Sequence, residues 1–406
     1  MRLRLPSMVE VQFPFILIRT KIGLSLMDRL GRTRLSKKIG FIFTIIMPFL
    51  GAVMIYLLFN SVNNMLTRPD VSRMIRELGP AANILLPGVN PYLPVFYGWI
   101  ALLIAMIIHE YSHGVQARTH EMNVKSTGIV LFLIIPMGAF AEVDEKQLEE
   151  AELGKACRVL SAGPVSNIIA AFASLAVFVL LILSLKPVNN GILVVGLVSN
   201  GSAYQAGMRP GDIIVGVNSE QTPDWNSFVK AVEEAYEQGE NMSFTVSRNS
   251  FSNYTFTLGM DLNATGILDV VPLKDVLENY SSAFMRSPVE GVVTYLMIPT
   301  VPFPWVYENI PFSSLLQKYY VSTLLGENYH YLVNLFFWIW FVNVNLGIFN
   351  ALPLYPMDGG IAFKLLCRKK LSNLVSVKMV DRMVYTVSLA ILGLIIGIII
   401  VPYIIG

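Results

Sequence analysis

The sequence predicts a mainly α-helical protein that crosses a membrane about five times and carries one mixed α/β domain outside it. Three observations lead there. Of 406 residues, 54% are hydrophobic and only 14% charged, with a mean hydropathy of +0.57, which is more apolar surface than one soluble core can bury. Five segments, about 40–59, 93–117, 157–185, 331–352 and 384–405, each supply the roughly 20 apolar residues that a bilayer crossing needs. Between the third and fourth, residues 188 to about 272 turn mixed polar and apolar, with short β-branched runs at Ile192–Val198 and Ile213–Val217, the pattern of a folded domain in water.

In chain order, residues 1–38 form a basic cytoplasmic tail carrying Arg29, Arg32, Arg34, Lys37 and Lys38. By the positive-inside rule these place the N-terminus in the cytoplasm. The first apolar run is read as a span and not as a cleavable leader, because it starts far into the chain and no small-residue cleavage pattern follows. Residues 39–186 hold spans one to three. The loop between spans two and three carries Arg118, Lys125, Lys155 and Arg158, and that between spans four and five carries Arg368, Lys369, Lys370, Lys378 and Arg382, so both come out cytoplasmic.

The same alternation puts residues 186–330 outside. All the N-x-S/T sites, at Asn200, Asn241, Asn253, Asn263 and Asn279, fall there, which agrees with that side although such a composition also produces them by chance. An apolar stretch at Val289–Val306 contains Pro299, Pro302 and Pro304. A crossing there would invert the basic loop that follows Asp358, so residues 273–330 are read as an outer linker with an interfacial or re-entrant segment. Residues 331–406 complete the membrane part with spans four and five. The net charge of +2 gives no sign of a nucleic-acid partner. Cys157 and Cys367, both near cytoplasmic boundaries, exclude a four-cysteine metal site and argue against a disulfide framework.

Within the outer domain, Gly201-Ser-Ala-Tyr-Gln-Ala-Gly-Met-Arg-Pro-Gly-Asp-Ile-Ile-Val-Gly-Val-Asn218 resembles the central signature of PDZ domains, a short helix and a Gly-Asp pair leading into a strand. Residues 187–272 are assigned to this domain. Pro223 to Tyr236, with Trp225, Phe228, Val229 and Val232 at helical spacing, is the expected helix beside a peptide groove. The resemblance implies capture of peptide C-termini or tails by strand addition; a groove that stays empty in a domain acting as a size filter is the plain alternative.

The chemistry is in span two, which reads Ile107-Ile-His109-Glu110-Tyr-Ser-His113-Gly114. Positions i and i+4 share a helix face, so both imidazoles can take one Zn²⁺ while Glu110 reaches a water beside it. Ionisable groups in the apolar phase cost a few kcal/mol each, which weighs against the alternative of two helix-end histidines reaching for the interface. His120 and His330 have no partner at metal spacing and are read as solvated or capping. Two imidazoles leave zinc short of a third protein ligand. The end of span four offers one in Asn350-Ala-Leu-Pro353-Leu-Tyr-Pro356-Met-Asp358-Gly359-Gly360, where prolines stop the helix and glycines let backbone pack close. Spans two and four run the same way, so both motifs reach the cytoplasmic side.

A membrane-embedded HEYSH paired with a downstream Asn-x-x-Pro…Asp-Gly motif resembles the site-2 proteases, intramembrane zinc metalloproteases. Gly163-Pro164-Val-Ser-Asn167 in span three is similar to that family's Gly-Pro-x-x-Asn element, and an outward PDZ domain after this span fits the family's order of parts. Met357 stands where the family usually has Leu, a change of similar volume. The resemblance covers about Ile104 to Gly360; span one and the tail before it are extra to it.

It implies further roles. Ser126 to Ala141, rich in β-formers and too short for two crossings, is similar to the family's membrane-dipping β-hairpin, whose edge can hold an unwound substrate segment; Gly128 and Gly138 lie in it. A packed loop is the alternative. Asn350 is similar to the Asn that contacts substrate backbone, and Asn167 is expected near the metal; either can equally be interhelical glue. The implied protein is a multi-pass cell-membrane endopeptidase that cleaves within or near transmembrane segments of membrane-anchored proteins, with Glu110 as catalytic base, His109, His113 and Asp358 as metal ligands, and the bilayer as its surroundings. The alternative is an inactive PDZ adaptor on the same scaffold, which would require a missing metal residue.

Overall fold

The computed structural model describes residues 8–133, 135–239, 241–248, 252–258, 266–299, 311–371 and 373–405. The chain divides into two compact units, Met1–Ser174 with Trp338–Gly406, and Leu175–Phe337. Among the described residues five helices are long and apolar enough to cross a membrane, at the five places where the sequence predicts spans.

In the first unit the N-terminal segment ahead of span one is folded. Strands β1 (Val9–Gln12) and β2 (Phe15–Thr20) form a hairpin, followed by helix α1 (Leu24–Gly31). Helix α2 (Arg34–Thr67) is span one; Thr33 caps it by accepting from the Ser36 amide at 3.1 Å, satisfying one of the free N–H groups of its first turn. After α3 (Pro69–Leu78) comes α4 (Val95–Thr119), span two. The expected hairpin is present as β3 (Val124–Phe132) and β4 (Ile135–Val143), but it is half of a larger sheet. β2 pairs antiparallel with β3 from Phe15↔Phe132 to Thr20↔Thr127, giving the order β1-β2-β3-β4 with β4 at one edge. Phe15 to Ile18 is a continuous run of β-forming apolar residues, which suits a strand paired on both sides. The short α5 (Glu145–Glu150), capped by Asp144, leads into α6 (Leu153–Leu183), span three.

The second unit begins within the end of α6. Strands β5 (Leu185–Pro187), β6 (Ile192–Leu197), β7 (Ile213–Val217), β8 (Glu220–Gln221), β9 (Met242–Arg248), β10 (Ser252–Leu258) and β11 (Ile267–Pro272) alternate with α7 (Ser202–Gln205) and α8 (Trp225–Glu237). The sheet order is β10-β9-β7-β6-β11, with β8 on β7, so β11, last in sequence, lies at an edge. The expected helix from Pro223 starts at Trp225 because Asp224 and Ser227 make a reciprocal capping box. Phe228 and Val232 of α8 pack on Ile192, Ile214, Val217 and Phe244, with Ile267 and Val270 of β11 against the same core. Helices α9 (Leu273–Arg286) and α10 (Pro288–Met297) follow; Pro302 and Pro304 of the predicted re-entrant segment, and Asn263, lie outside the described residues. An aromatic cluster of Phe178, Tyr280, Phe312 and Phe337 and the small ladder of β5 with β12 (Tyr320–Ser322) complete the unit.

Helix α11 (Tyr329–Asn350), span four, returns the chain to the first unit, where α12 (Asp358–Leu371) and α13 (Val377–Ile405), span five, end it. Met54 and Leu58 of α2 and Ile391 of α13 bury Leu352 between them, so span one and the last span pack on the break that follows span four.

Candidate metal centre and its surroundings

His109 and His113 stand one turn apart on α4, and both are buried. Asp358 is the first residue of α12, where a carboxylate is favoured by the free amides and dipole of a helix start. The chain between Ala351 and Met357 folds back on itself to bring it there. Gly359 and Gly360 make that possible: a Cβ on Gly359 would lie 2.5 Å from the Leu352 carbonyl oxygen, and one on Gly360 would press into the backbone of Leu354 and Tyr355. The outcome is three convergent donors. Nε2 of His109 lies 3.0 Å and Nε2 of His113 3.3 Å from Oδ2 of Asp358, and the two Nε2 atoms are 3.1 Å apart. Ligands at the edges of a tetrahedron around Zn²⁺, with bonds of about 2.0–2.1 Å, are spaced by about 3.3–3.4 Å. The donor set and its spacing therefore fit one tetrahedral ion.

Both rings are oriented from behind. Asn167 on α6 uses its Nδ2 to donate to the Ala105 carbonyl at 2.9 Å and to Oδ1 of Asn343 at 2.8 Å. Its Oδ1, 2.6 Å from Nδ1 of His109, is therefore the acceptor of that N–H. His113 donates from Nδ1 to the Val159 carbonyl at 2.7 Å. With each Nδ1 protonated, both Nε2 lone pairs point at the shared position, the arrangement that metal-bound histidines use. Gly163 of α6 faces them without a side chain; a Cβ there would meet His113 Nε2 and lie 2.6 Å from His109 Nε2. Next to it, the Pro164 carbonyl is where α11 approaches, at Gly347, whose missing side chain allows the contact.

Glu110 projects to a different partner. Its Oε2 accepts the Ala141 N–H of β4 at 3.0 Å, so the free edge of the sheet begins at the carboxylate. In the β3–β4 register Thr127 faces Ala141 and Ile129 faces Ala139, and strand alternation puts the Ala139 backbone groups on the same outer edge.

Among the remaining residues singled out from sequence, Gly138 faces Met106, whose Cε would be 2.5 Å from a Cβ there, and Gly128 lies under Ile18 of β2 and the Phe140 ring. Asn350 donates to the Leu346 carbonyl of its own helix at 3.1 Å. Asn343 and the N-terminal strands are not singled out by the sequence, and Gly163 enters there only as part of a motif. Asn343 had a usable signal, an amide in the apolar run Phe341-Val-Asn-Val-Asn345, since polar groups there demand partners. The Val159 carbonyl had none.

The sequence profile of peptidase family M50 matches residues 97–395, well over half of the chain. The chain belongs to peptidase family M50. It is a membrane metalloprotease of the site-2 type, with zinc as its cofactor. An uncharacterized protein of Methanocaldococcus jannaschii is 26% identical over 350 residues, 85% of this chain and 75% of that one. The regulator of sigma-W protease RasP of Bacillus subtilis is 26% identical over 266 residues, 63% of this chain and 60% of that one. The zinc metalloprotease RasP of Geobacillus kaustophilus is 25% identical over 240 residues. This M50 chain thus spans 60% and 54% of the two RasP proteins.

Proposed function

We propose that this protein is an intramembrane endopeptidase that hydrolyses peptide bonds within or near the transmembrane segments of membrane-anchored proteins. The observation that carries the reading is the meeting of Asp358 with His109 and His113, 249 and 245 positions away in sequence, with Glu110 on the same helix as the two imidazoles. In it those three side chains hold the zinc. Bound there, Zn²⁺ supplies Lewis acidity toward the scissile carbonyl and lowers the pKa of water.

The protein's own groups do the rest. Glu110 takes a proton from the attacking water and delivers it to the leaving amine. The Ala141 N–H fixes one of its oxygens and leaves the other for the proton. Asn167 and the Val159 carbonyl keep both imidazoles aimed. A substrate helix has to unwind before its amides are reachable, and the outer edge of β4 at Ala139 can hold such a segment as an added strand.

The 187–272 segment is read as an extracytoplasmic PDZ domain, supported by the Gly-Asp strand entry at β7 and by the edge position of β11 beside α8. Peptide tails bound there would recruit substrates or admit only those already trimmed. The N-terminus is assigned to the cytoplasm of a multi-pass cell-membrane protein, on the basic residues flanking the spans.

The test uses purified full-length protein and single-span protein segments, with and without a zinc chelator, and sequences the products. Cleavage that stops with the chelator is expected. Glu110→Gln should abolish it with zinc retained, and a variant that still cuts removes Glu110 as the base. Asp358→Ala should lower the zinc content; an unchanged metal-to-protein ratio takes it off the ligand set.

A further inference from the structure

Glu110 also lines a cavity of about 340 Å³. Thr20, Gly23 and Met27 of the N-terminal segment form one wall, Ile107 of α4 a second, and Ile129 and Phe140 of the sheet the third. Glu110 brings the single charged side chain among the described lining residues.

The N-terminal wall is held in place by specific contacts. The Thr127 hydroxyl donates to the Ile22 carbonyl at 2.8 Å and lies 3.2 Å from the Thr20 hydroxyl. The Tyr111 hydroxyl, on the residue after Glu110, donates to the Gly23 carbonyl at 3.3 Å. Gly23 has φ +86°, and a Cβ there would lie 3.2 Å from the Tyr111 ring, so both its conformation and its closeness favour glycine. Met27 is 1% exposed and packs on Gly114, where a Cβ would lie 2.6 Å from its sulfur. The residues ahead of span one are thereby fixed to the helix that carries His109 and His113. They precede the stretch matched by the family, residues 97–395.

We propose that this cavity receives an apolar side chain of a substrate residue flanking the scissile bond, and that the N-terminal segment thereby sets sequence preference. The inference rests on the reading of Glu110 as the base. A strand laid on β4 turns alternate side chains to one face, and Ala139 to Ala141 form part of the cavity's lining, so a side chain next to the reacting bond reaches it. The volume is at the small end of the ~300–1,000 Å³ of ligand pockets, enough for a branched aliphatic or aromatic group. A carboxylate would meet Glu110 in an apolar setting and pay for both desolvation and like charge. A lysine would pair with Glu110 and engage the base.

The experiment takes a single-span host segment whose cut by the full-length protein has been mapped, and varies the residues on either side of the cut among Ala, Leu, Phe and Asp. At one of the two positions kcat/KM should favour Phe and Leu over Ala by about tenfold, with Asp poorest. Thr20→Phe, which fills the cavity, should lower the Phe-to-Ala ratio by about tenfold, and Ile129→Ala, which enlarges it, should raise that ratio. A general folding defect lowers all hosts alike; a ratio unmoved in both variants overturns the proposal.

A second measurement needs no turnover. In the Glu110→Gln protein, a benzophenone side chain at the same host position should cross-link to Met27 or Ile107, and adducts mapping only elsewhere overturn it. Failure of the wild type to cut, or cutting that survives Glu110→Gln, instead counts against the protease reading.

Discussion

Nδ1 of His109 and Oδ1 of Asn167 lie 2.6 Å apart, and this contact ties three spans to one ring. Asn167 on α6 is itself pinned by Asn343 of α11 and by the Ala105 carbonyl of α4. Removing the amide frees the His109 ring to rotate or to move its proton to Nε2, where zinc would have to displace it. Asn167→Ala is expected to weaken zinc binding by about 10–100-fold, read by competition against a chelating dye. Because Asn343 acts through Asn167, the double substitution with Asn343→Ala should cost less than the sum of the two singles.

Gly163 makes a sharper demand on the same centre. A methyl group there would occupy the space beside both Nε2 atoms, while the backbone of α6 would tolerate alanine without strain. Gly163→Ala should therefore fold, insert and show unchanged helix content by circular dichroism, yet bind less than one zinc per chain. Full zinc occupancy in this variant would mean that the imidazoles have more freedom than the packing indicates.

Spans and motif chemistry were legible because each follows from local composition. The five apolar runs and the i, i+4 histidines require only periodicity and length, and Pro353, Gly359 and Gly360 signal a break that packs backbone on backbone. What was not legible depends on partners far away in sequence. The strands at Val9–Gln12 and Phe15–Thr20 were hidden because a short apolar run in a basic tail becomes a strand only once β3 is there to pair with it. The motif position of Asn350 suggests a substrate contact, and the bond from its Nδ2 to the Leu346 carbonyl of its own helix neither makes nor prevents one. Gly163 was quoted as part of a motif, but its missing side chain matters only because two imidazoles from another helix face it.

Asp224 gives the second unit a pH-dependent helix start. Its carboxylate accepts the Ser227 amide at 3.0 Å, and that hydrogen bond first, with the Ser227 hydroxyl and Lys274 adding to it, holds its pKa below the usual value. A carboxyl depressed in the folded state contributes stability that is complete above its unfolded pKa of about 3.9 and is lost as pH falls through the lower folded value. Hydrogen exchange in the first turn of α8 should accordingly be flat from neutral pH down to about 5 after correction for intrinsic rates, and should rise below about 4. Asp224→Ala should cost about 1 kcal/mol and remove the acid dependence of that turn.

Gly128 tests whether the N-terminal strands belong to the fold. A Cβ at this position would run into the Ile18 carbonyl of β2 and the Phe140 ring of β4, directly across from Arg19 in the register. Arg19 reaches Glu142 of β4 at 3.5 Å, an exposed pair worth little alone, so backbone pairing is what holds β2 to β3. Gly128→Val should displace β2 while the two transmembrane motifs keep their places. Protease should then cut between residues 8 and 20 in the variant and not in the wild type, with zinc content unchanged. Equal protection of both proteins would show that β2 pairing does not depend on the close approach at Gly128. Loss of zinc together with protection would show instead that the sheet supports the metal helix, through the bond between Ala141 and Glu110.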